Sequence, residues 1–381
     1  MSEIPFIALG ELMAPSGGSI DPSRFPDEEF DLYSIPAFDN GRPENSRGRE
    51  IGSSKQIVQP NDILLSKIVP HIRRSWVVGE QRMNRMIASG EWIVFRSPKI
   101  HPNYLRYLFI DDHFHEQFMD TVAGVGGSLL RARPAHVADI EIPLPSLSEQ
   151  RRLSARFELG DQLCRVRRYG LELSDTFLPA VFRKLFGSRL KSGPFLTFGE
   201  LVKITGGGTP ARERPDFFQG RIPWLTSKDM KGDDIWDTEE HITKEAIEES
   251  ATNLVPAGSI LVVVKSKVLM HRLPVATAKV PLCHGQDIKS IQCCDEFQPA
   301  FARFILKFHE GRLLNLARGA NTEGLTLPML EELPVPMVPQ SEQKHFAKLV
   351  ERHERLRAVQ LESLRQAEHL FASILHRTFS S

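Results

Sequence analysis

The chain has 381 residues, with 48 Lys and Arg against 48 Asp and Glu, 41% hydrophobic residues and 25% charged ones, an ordinary globular composition with length enough for two or more domains. That balance excludes disorder as the main state, no apolar run approaches the ~20 residues of a membrane span, and residues 1–10 lack the basic stretch and apolar core of a secretory leader, so a soluble, cytoplasmic protein is expected. A net charge of zero points to no partner, and any nucleic-acid role has to come from local basic patches.

In chain order, the first landmarks are Leu9-Gly10-Glu11-Leu12, Gly17-Gly18 and Pro26-Asp27, followed by a polar, glycine-containing stretch that carries Arg42, Arg47 and Arg49. Between Ile63 and Arg85 lie Lys67, Arg73, Arg74, Arg82 and Arg85 against the single Glu80, a local cation excess suited to phosphates. The β-rich run Trp92–Phe95 and the helix-like stretch Tyr104–Phe118 alternate with turns, which predicts a small, twisted, largely antiparallel sheet with short helices. Gly124-Val125-Gly126-Gly127 opens no dinucleotide-binding pattern and reads as a turn.

From Ser148 to Phe186 apolar residues recur at three and four with charges between them, the period of a helix. Ser148 is placed to cap it, Glu149 sits where the helix dipole favours an acid, and Pro143 and Pro145 keep the approach extended. At ~1.5 Å per residue, roughly 39 helical residues make a rod on the order of 58 Å long. Leu153, Phe157, Gly160, Cys164, Arg167, Leu171, Ser174, Leu178, Val181 and Leu185 follow alternating four-three spacing, a coiled-coil seam with polar interruptions. Gly160, Gly170 and Pro179 are where this rod would bend or break. Gly187 to Pro194, rich in Gly, Ser and Lys, is the expected linker out of it.

The sequence then repeats. Phe198-Gly199-Glu200-Leu201, Gly206-Gly207 and Pro215-Asp216 match the opening landmarks, Ile222-Pro223 matches Ile35-Pro36, and Ser259-Ile260-Leu261 matches Asp62-Ile63-Leu64. Pro299, Phe301, Arg303 and Phe304 answer Pro102, Tyr104, Arg106 and Tyr107, and the helix-like stretch here is Phe301–Leu316. The window Ile260 to Leu282 again holds cations, Lys265, Lys267, Arg272 and Lys279, and no acid. Pro336, Pro339, Ser341, Glu342 and Gln343 restate the approach and start of the first helix, and a second runs to Phe379 at a constant offset, pairing Leu163 with Leu356 and Val166 with Val359. Offsets drift elsewhere, as expected when packed elements are kept and loops change length.

An α+β architecture follows: two tandem α/β domains, 1–140 and 195–333, with helical segments at 141–187 and 334–381 and a linker at 188–194. Each helix can pack on its own domain as core. Two matched amphipathic rods in one chain more naturally pack as an antiparallel coiled coil, which makes the whole pseudo-two-fold symmetric.

The sequence offers no catalytic centre. It has no Walker loop, HExxH, EF-hand loop or G-x-S-x-G elbow, and no Asn-Pro-Pro-Tyr-type tetrapeptide of amino-methyltransferases. Cys164, Cys283, Cys293 and Cys294 are too few and too irregular for a disulfide framework or a zinc site, so Cys283 and Cys293-Cys294 with His284 read as buried or idle groups, and no cofactor or metal is expected on this chain.

The run GGGTPARERPDFFQGRIPWLTSKDM (206–230), with DILLSKIVPHIRR (62–74), HGQDIKSI (284–291) and the two proline-rich approaches ending in Ser-Glu-Gln, resembles the specificity subunit (HsdS) of type I restriction-modification systems over essentially the whole chain. The first repeat departs from the family's glycine turn, having Gly17-Gly18-Ser19-Ile20-Asp21. The resemblance implies two target-recognition domains that each read one half of a bipartite, asymmetric site in double-stranded DNA, and paired helices that set the gap. It also implies partners: two methyltransferase (modification) subunits bringing S-adenosylmethionine, and restriction subunits bringing the ATP- and Mg-dependent motor and nuclease. Cations would then fix register on phosphates and polar loop residues would reach base edges. The candidates are Arg47, Arg49, Lys67, Arg73 and Arg74 in the first domain, and Thr209, Arg212, Arg214, Thr226, Ser227, Lys228, Lys265, Lys267, Arg272 and Gln286 in the second. Trp224 reads as a packing anchor rather than a base-stacking residue; Gln286-Asp287 either contacts a base or closes a turn. Competing readings are a subunit of a related system whose partner fuses modification and cleavage, an enzyme with unrecognised motifs, and a coiled-coil scaffold that binds no DNA.

Overall fold

The proline-bounded approaches to both long helices are short strands in the computed structural model, which describes residues 4–15, 18–123, 130–319 and 324–379. Glu141–Pro143 pairs antiparallel with Phe6–Ala8, setting Pro143 opposite Phe6, and Pro334–Pro336 pairs antiparallel with Phe195–Thr197, setting Pro336 opposite Phe195. A short helix follows each time, at Leu9–Leu12 and at Phe198–Leu201. Its glycine lies against the chain just ahead of the proline strand, where a Cβ on Gly10 would come within 3.1 Å of Ala138 Cβ and one on Gly199 within 3.0 Å of Glu331 Cβ. The Leu-Gly-Glu-Leu and Phe-Gly-Glu-Leu landmarks thus mark one tight packing point used twice.

Two units result, Met1–Tyr169 with Glu362–Ser381, and Gly170–Leu361, so the division falls inside both long helices rather than at their ends. In unit 1 the strand Ile63–Ser66 lies between Ser75–Val77 and Trp92–Phe95, antiparallel to both; in unit 2 Ile260–Val263 lies between Val275–Ala278 and Ile288–Cys293 in the same way. Ile63 faces Phe95 and Ile260 faces Ile291, so the pairing of Ile63 with Ile260 read from the sequence is also the structural one. All four residues of each central strand are buried, which is why these strands are continuous apolar runs instead of alternating ones. A second sheet in each unit contains one parallel pair, Glu29–Tyr33 with Arg85–Ala88 and Ile222–Leu225 with Cys283–His284.

Here the sequence pairing of Ile35-Pro36 with Ile222-Pro223 is corrected. Tyr33 faces Ala88 and Leu225 faces His284, so Tyr33 is the counterpart of Leu225. Ile35-Pro36 instead opens the helix Ile35–Asp39, capped by Ser34, because the fixed φ of proline suits a first helical turn as well as an extended strand. The single helices expected over Tyr104–Phe118 and Phe301–Leu316 are each two: Pro102–Leu108 and Asp112–Asp120, then Pro299–Phe308 and Glu310–Gly319. Asp111 starts the second of the first pair by accepting from the His113 amide at 3.0 Å. Gly17 and Gly124 to Gly127 lie outside the described residues.

The glutamine of each Ser-Glu-Gln is buried and does the same work twice. Gln150 Oε1 accepts from the His101 amide at 2.7 Å while its Nε2 donates to the Pro145 carbonyl at 2.8 Å. Gln343 Oε1 accepts from the Gln298 amide at 3.0 Å and its Nε2 donates to the Val338 carbonyl at 2.9 Å. Each glutamine therefore fastens the start of a long helix to the start of the Pro-initiated helix in its own unit. Such bonds carry ~1 kcal/mol each, and more is lost when a buried partner is left unpaired.

The long helices span Leu147–Lys191 and Gln340–Phe379. The first is one helix through Gly160, Gly170 and Pro179, and it continues past Gly187, which shortens the expected linker to residues 192–194. Its cap is Ser146, whose Oγ accepts from the Glu149 amide at 3.3 Å, in place of Ser148; in the second, the Pro339 carbonyl, not Ser341, accepts from the Glu342 and Gln343 amides. Glu149 and Glu342 do occupy the first turns.

Within unit 1, Arg167 Nη1 donates to the Ser363 carbonyl at 2.6 Å, Arg168 pairs with Glu368 at 2.7 Å, and the Phe157 ring lies tilted 5.4 Å from that of Phe379. Within unit 2, Ser174 meets His353 at 2.9 Å, Asp175 pairs with Arg357 at 2.7 Å, and Arg189 pairs with Glu342 at 2.6 Å. In both, partners on the second helix fall in number as those on the first rise, so the segments run antiparallel. The same segments also pack on their own heads: Phe157 sits 5.4 Å from Tyr107, and Phe182 lies 5.5 Å from Phe301. Both packing modes read from the sequence are therefore present. Towards the end of the first helix the buried stripe moves from the expected Val181 and Leu185 to Phe182 and Phe186, with Leu185 exposed; a straight helix of 3.6 residues per turn drifts off a strict seven-residue repeat in this way.

Phe182 is the hub of the unit 2 aromatic cluster, so Phe182→Ala is expected to cost about 3–5 kcal/mol in urea unfolding, while Arg183→Ala, one residue on and exposed, should stay within about 0.5 kcal/mol.

Candidate nucleic-acid interface

In unit 2 the glycine-rich run and the His284 segment form one node. The Gly208 amide donates to the His284 carbonyl at 3.0 Å, and Trp224 Nε1 donates to the Gly208 carbonyl at 3.1 Å. A Cβ on Gly207 would collide with the carbonyl and Nδ1 of His284, so only glycine allows this approach. His284 is fully buried and Trp224 nearly so, which makes the tryptophan a packing anchor.

Three loops leave this node together. The Gly285 amide bonds to the Leu225 carbonyl at 3.0 Å, the Val264 and Lys265 amides to the Asp287 carbonyl at 2.8 and 3.3 Å, and Arg272 Nη2 to the Met230 carbonyl at 3.2 Å. The Ile288 amide closes on the Gly285 carbonyl at 3.2 Å, a turn that leaves Gln286 exposed at its tip. Asp229 organises the first loop, its carboxylate accepting from Thr226 N at 2.9 Å, Thr226 Oγ1 at 2.7 Å and the Glu239 amide at 3.2 Å.

Between the loops lies an open cleft of about 530 Å³ lined by Thr209, Arg212, Thr226, Ser227, Lys228 and Gln286 above the Trp224 ring. Six of the ten residues chosen from sequence in this domain thus meet in one place. Arg212 is held rigidly, bidentate to Glu240 at 2.5 and 2.9 Å and 4.4 Å from the Phe218 ring centroid; this pairing keeps the Glu240 carboxyl below its usual range. Lys265, Lys267 and Arg272 stand on the neighbouring loop, outside the cleft. Arg214 lies elsewhere, paired with Asp216 at 2.6 Å over the Phe217 ring.

The charge of the cleft departs from the basic patch expected: Arg212 and Lys228 face Asp229, Glu239, Glu240 and Asp287. The basic windows are corrected likewise in unit 1. Arg73 pairs with Asp112 at 2.6 Å, Arg74 is bidentate to Asp39 at 3.0 and 3.2 Å, and Arg85 pairs with Glu28 at 2.5 Å. Arg47 stands 4.0 Å from Glu29 and Arg49 3.3 Å from Asp27. Lys279, in unit 2, pairs with Asp234 at 3.3 Å. Counting charges along a window omits acids that folding brings from elsewhere; these cancel most of the excess in the first window but pair only Lys279 in the second. Lys67, Lys228, Lys265 and Lys267 form no ion pair with a described residue.

Other chemistry is quiet among the described residues: no group of three His, Cys, Asp or Glu side chains could hold a metal ion, and burial pushes the Cys283 and Cys293 thiols up to about 11 and about 12. No described helix is long and apolar enough to cross a membrane.

Residues 195–368 match the type I restriction modification DNA specificity domain. Over 168 residues the chain is 32% identical to the type I restriction enzyme EcoR124I/EcoR124II specificity subunit of Escherichia coli, covering 42% of this chain and 40% of that protein. Over 156 residues it is 28% identical to the type I restriction enzyme MjaIX specificity subunit of Methanocaldococcus jannaschii, covering 39% and 34%. The matches thus span well under half the length of either relative. Among solved structures, a chain of a type I restriction-modification assembly superposes with a TM-score of 0.64 at 19% identity, covering 99% of this chain and 98% of that one. The S subunit of the type I system of M. genitalium does so with a TM-score of 0.59 at 13% identity, covering 100% and 97%. These likenesses show the fold.

Burial pulls His284 below its ordinary value near 6.5, and does the same to His309. The unfolded chain takes up these protons below pH about 6.5 while the folded state resists them, so their contribution to stability is full above that pH and is lost as pH falls towards the lowered folded values. His284→Gln is expected to make the urea midpoint less pH-dependent on the acid side; an unchanged dependence would contradict the assignment.

Proposed function

We propose that this chain belongs to the specificity-subunit family of type I restriction-modification systems, to which its second half and two curated relatives point, and that it recognises a bipartite DNA sequence, one head per half-site, and leaves chemistry to other chains. The observation that carries this reading is the duplicated head whose packed strands keep register while its loops do not: the Ile63 and Ile260 strands superimpose in pairing, yet the glycine node and polar cleft of unit 2 are built from residues that unit 1 lacks. Two copies of one scaffold with unlike loops suit two unlike half-sites. In the cleft, the amide of Gln286, the hydroxyls of Thr226 and Ser227 and the ammonium of Lys228 are the groups for base edges, with Lys265 and Lys267 beside it for phosphates.

Partner docking has its own support. Leu163 and Val166 in unit 1 and their repeat counterparts Leu356 and Val359 in unit 2 are all exposed on the long helices. An apolar pair retained at equivalent solvent-facing positions fits two copies of one partner, which we take to be modification subunits carrying S-adenosylmethionine, with restriction subunits adding ATP- and Mg-dependent steps. The antiparallel helices would set the length of the gap between half-sites.

A chimera that takes residues 1–139 from a relative is expected to methylate a site altered in one half and intact in the other, read by sequencing modified bases. A wholly changed or unchanged site would refute the one-head-per-half reading. DNA affinity should also fall steeply between low and physiological salt; a flat response would favour a scaffold that does not bind DNA.

A further inference from the structure

Unit 1 has an open groove of about 1870 Å³ that Lys67, Arg73 and Arg74 do not line. Its base is the strand Glu29–Tyr33, whose alternate residues Glu29, Asp31 and Tyr33 line it while Phe30 and Leu32 are buried. That strand pairs with Glu44–Arg47 on one side and Arg85–Ala88 on the other, so the segments leading into those strands, 40–45 and 79–84, flank the groove. The second segment is pinned at both ends: the Gly79 amide donates to Tyr33 Oη at 3.1 Å and Asn84 Nδ2 donates to Asp31 Oδ1 at 3.0 Å. Between the pins Glu80, Gln81, Arg82 and Met83 are exposed, Met83 at 97%.

The groove is at a position shared with unit 2. Leu32 faces Glu44 as Trp224 faces Glu240, so Glu44 is the counterpart of the carboxylate that borders the unit 2 cleft. Its charge balance is the same in kind, with Glu29, Asp31, Glu44 and Glu80 against Arg42 and Arg82. An acidic excess disfavours phosphate. It suits base edges, because carboxylates accept from the amino groups of cytosine and adenine, amides bind adenine in two places, and an arginine fork binds guanine. Arg42 and Arg82 form no ion pair with a described residue, so both forks are open, in contrast to Arg73, Arg74 and Arg85.

We propose that unit 1 reads its half-site in this groove, with Asn45, Gln81 and Arg82 on base edges and Met83 as an apolar contact to a thymine methyl or a base step, a proposal that rests on the DNA-recognition reading above. Lys67 then serves phosphates only.

The test uses the full chain reconstituted with modification subunits and a DNA library randomised over both half-sites, read by methylation. Gln81→Ala with Arg82→Ala is expected to lose about tenfold or more of the discrimination at one or two positions of one half-site and to leave the other half intact. Met83→Ala should relax a neighbouring position, and Lys67→Ala should weaken binding evenly without changing preference. Unchanged preference in both halves overturns the groove and leaves the two-headed reading standing. Equal collapse of both halves, or failure of the variant to assemble on gel filtration with its melting temperature unchanged, overturns it in favour of a protein-docking surface. A parent chain with no bipartite preference removes the reading underneath as well.

Discussion

A helix as long as Leu147–Lys191 cannot leave a continuous apolar stripe in water, and the disposal of that stripe governs the rest of the molecule. It is covered twice over in each unit, by an antiparallel stretch of the second long helix and by the head itself. Phe157 touches Tyr107 and Phe379; Phe182 touches Phe301 and Phe346. Each ring contributes on the order of 1.5–3 kcal/mol by burial, enough across the cluster to outweigh the ~3 kcal/mol that a mid-helix proline such as Pro179 costs. The helix therefore runs on where local propensity argues for a break, and a head cannot shift on its helix without exposing aromatic surface.

The same economy links fold to recognition. Buried Gln150 and Gln343 fasten helix to head through backbone groups, so the fastening is indifferent to which side chains the loops carry. Loops are then free to diverge on a fixed frame. In unit 2 they close around His284 and Trp224 and expose amide, hydroxyl and ammonium groups at one cleft; in unit 1 the counterpart region is a wider groove edged by amides and by two arginines that form no ion pair with a described residue. Both are acidic on balance, which in the proposed reading separates the two tasks: the mixed polar surface would meet base edges, and isolated lysines around it would meet the backbone.

Much of this was legible in the residues themselves. The repeat, the strand approaches, the antiparallel helices and six residues of the unit 2 cleft follow from period, proline placement and recurrence, all of which are local or translational signals. What escaped was tertiary. The acids Asp39, Asp112 and Glu28 lie far in sequence from the arginines they neutralise, so a window count overstated the first basic patch. Ser146 takes the place of Ser148 as a cap because the helix begins two residues earlier than its apolar period suggests. Ile35-Pro36 and Ile222-Pro223 look alike as dipeptides yet sit in a helix and a strand, since proline's φ serves both. The groove of unit 1 left little signal: Arg42 and Arg82 stand out in the sequence only as cations, and Asn45, Gln81 and Met83 are unremarkable until strand pairing sets their segments on either side of Asp31.

The most direct measurement of the central claim is a map of every methylated base in a genome that carries this chain together with the proposed modification subunits and no other such system. Two short, unlike specific sequences separated by a gap of constant length and arbitrary composition are what two heads on paired helices require. A single uninterrupted motif, or two motifs at variable separation, would contradict it.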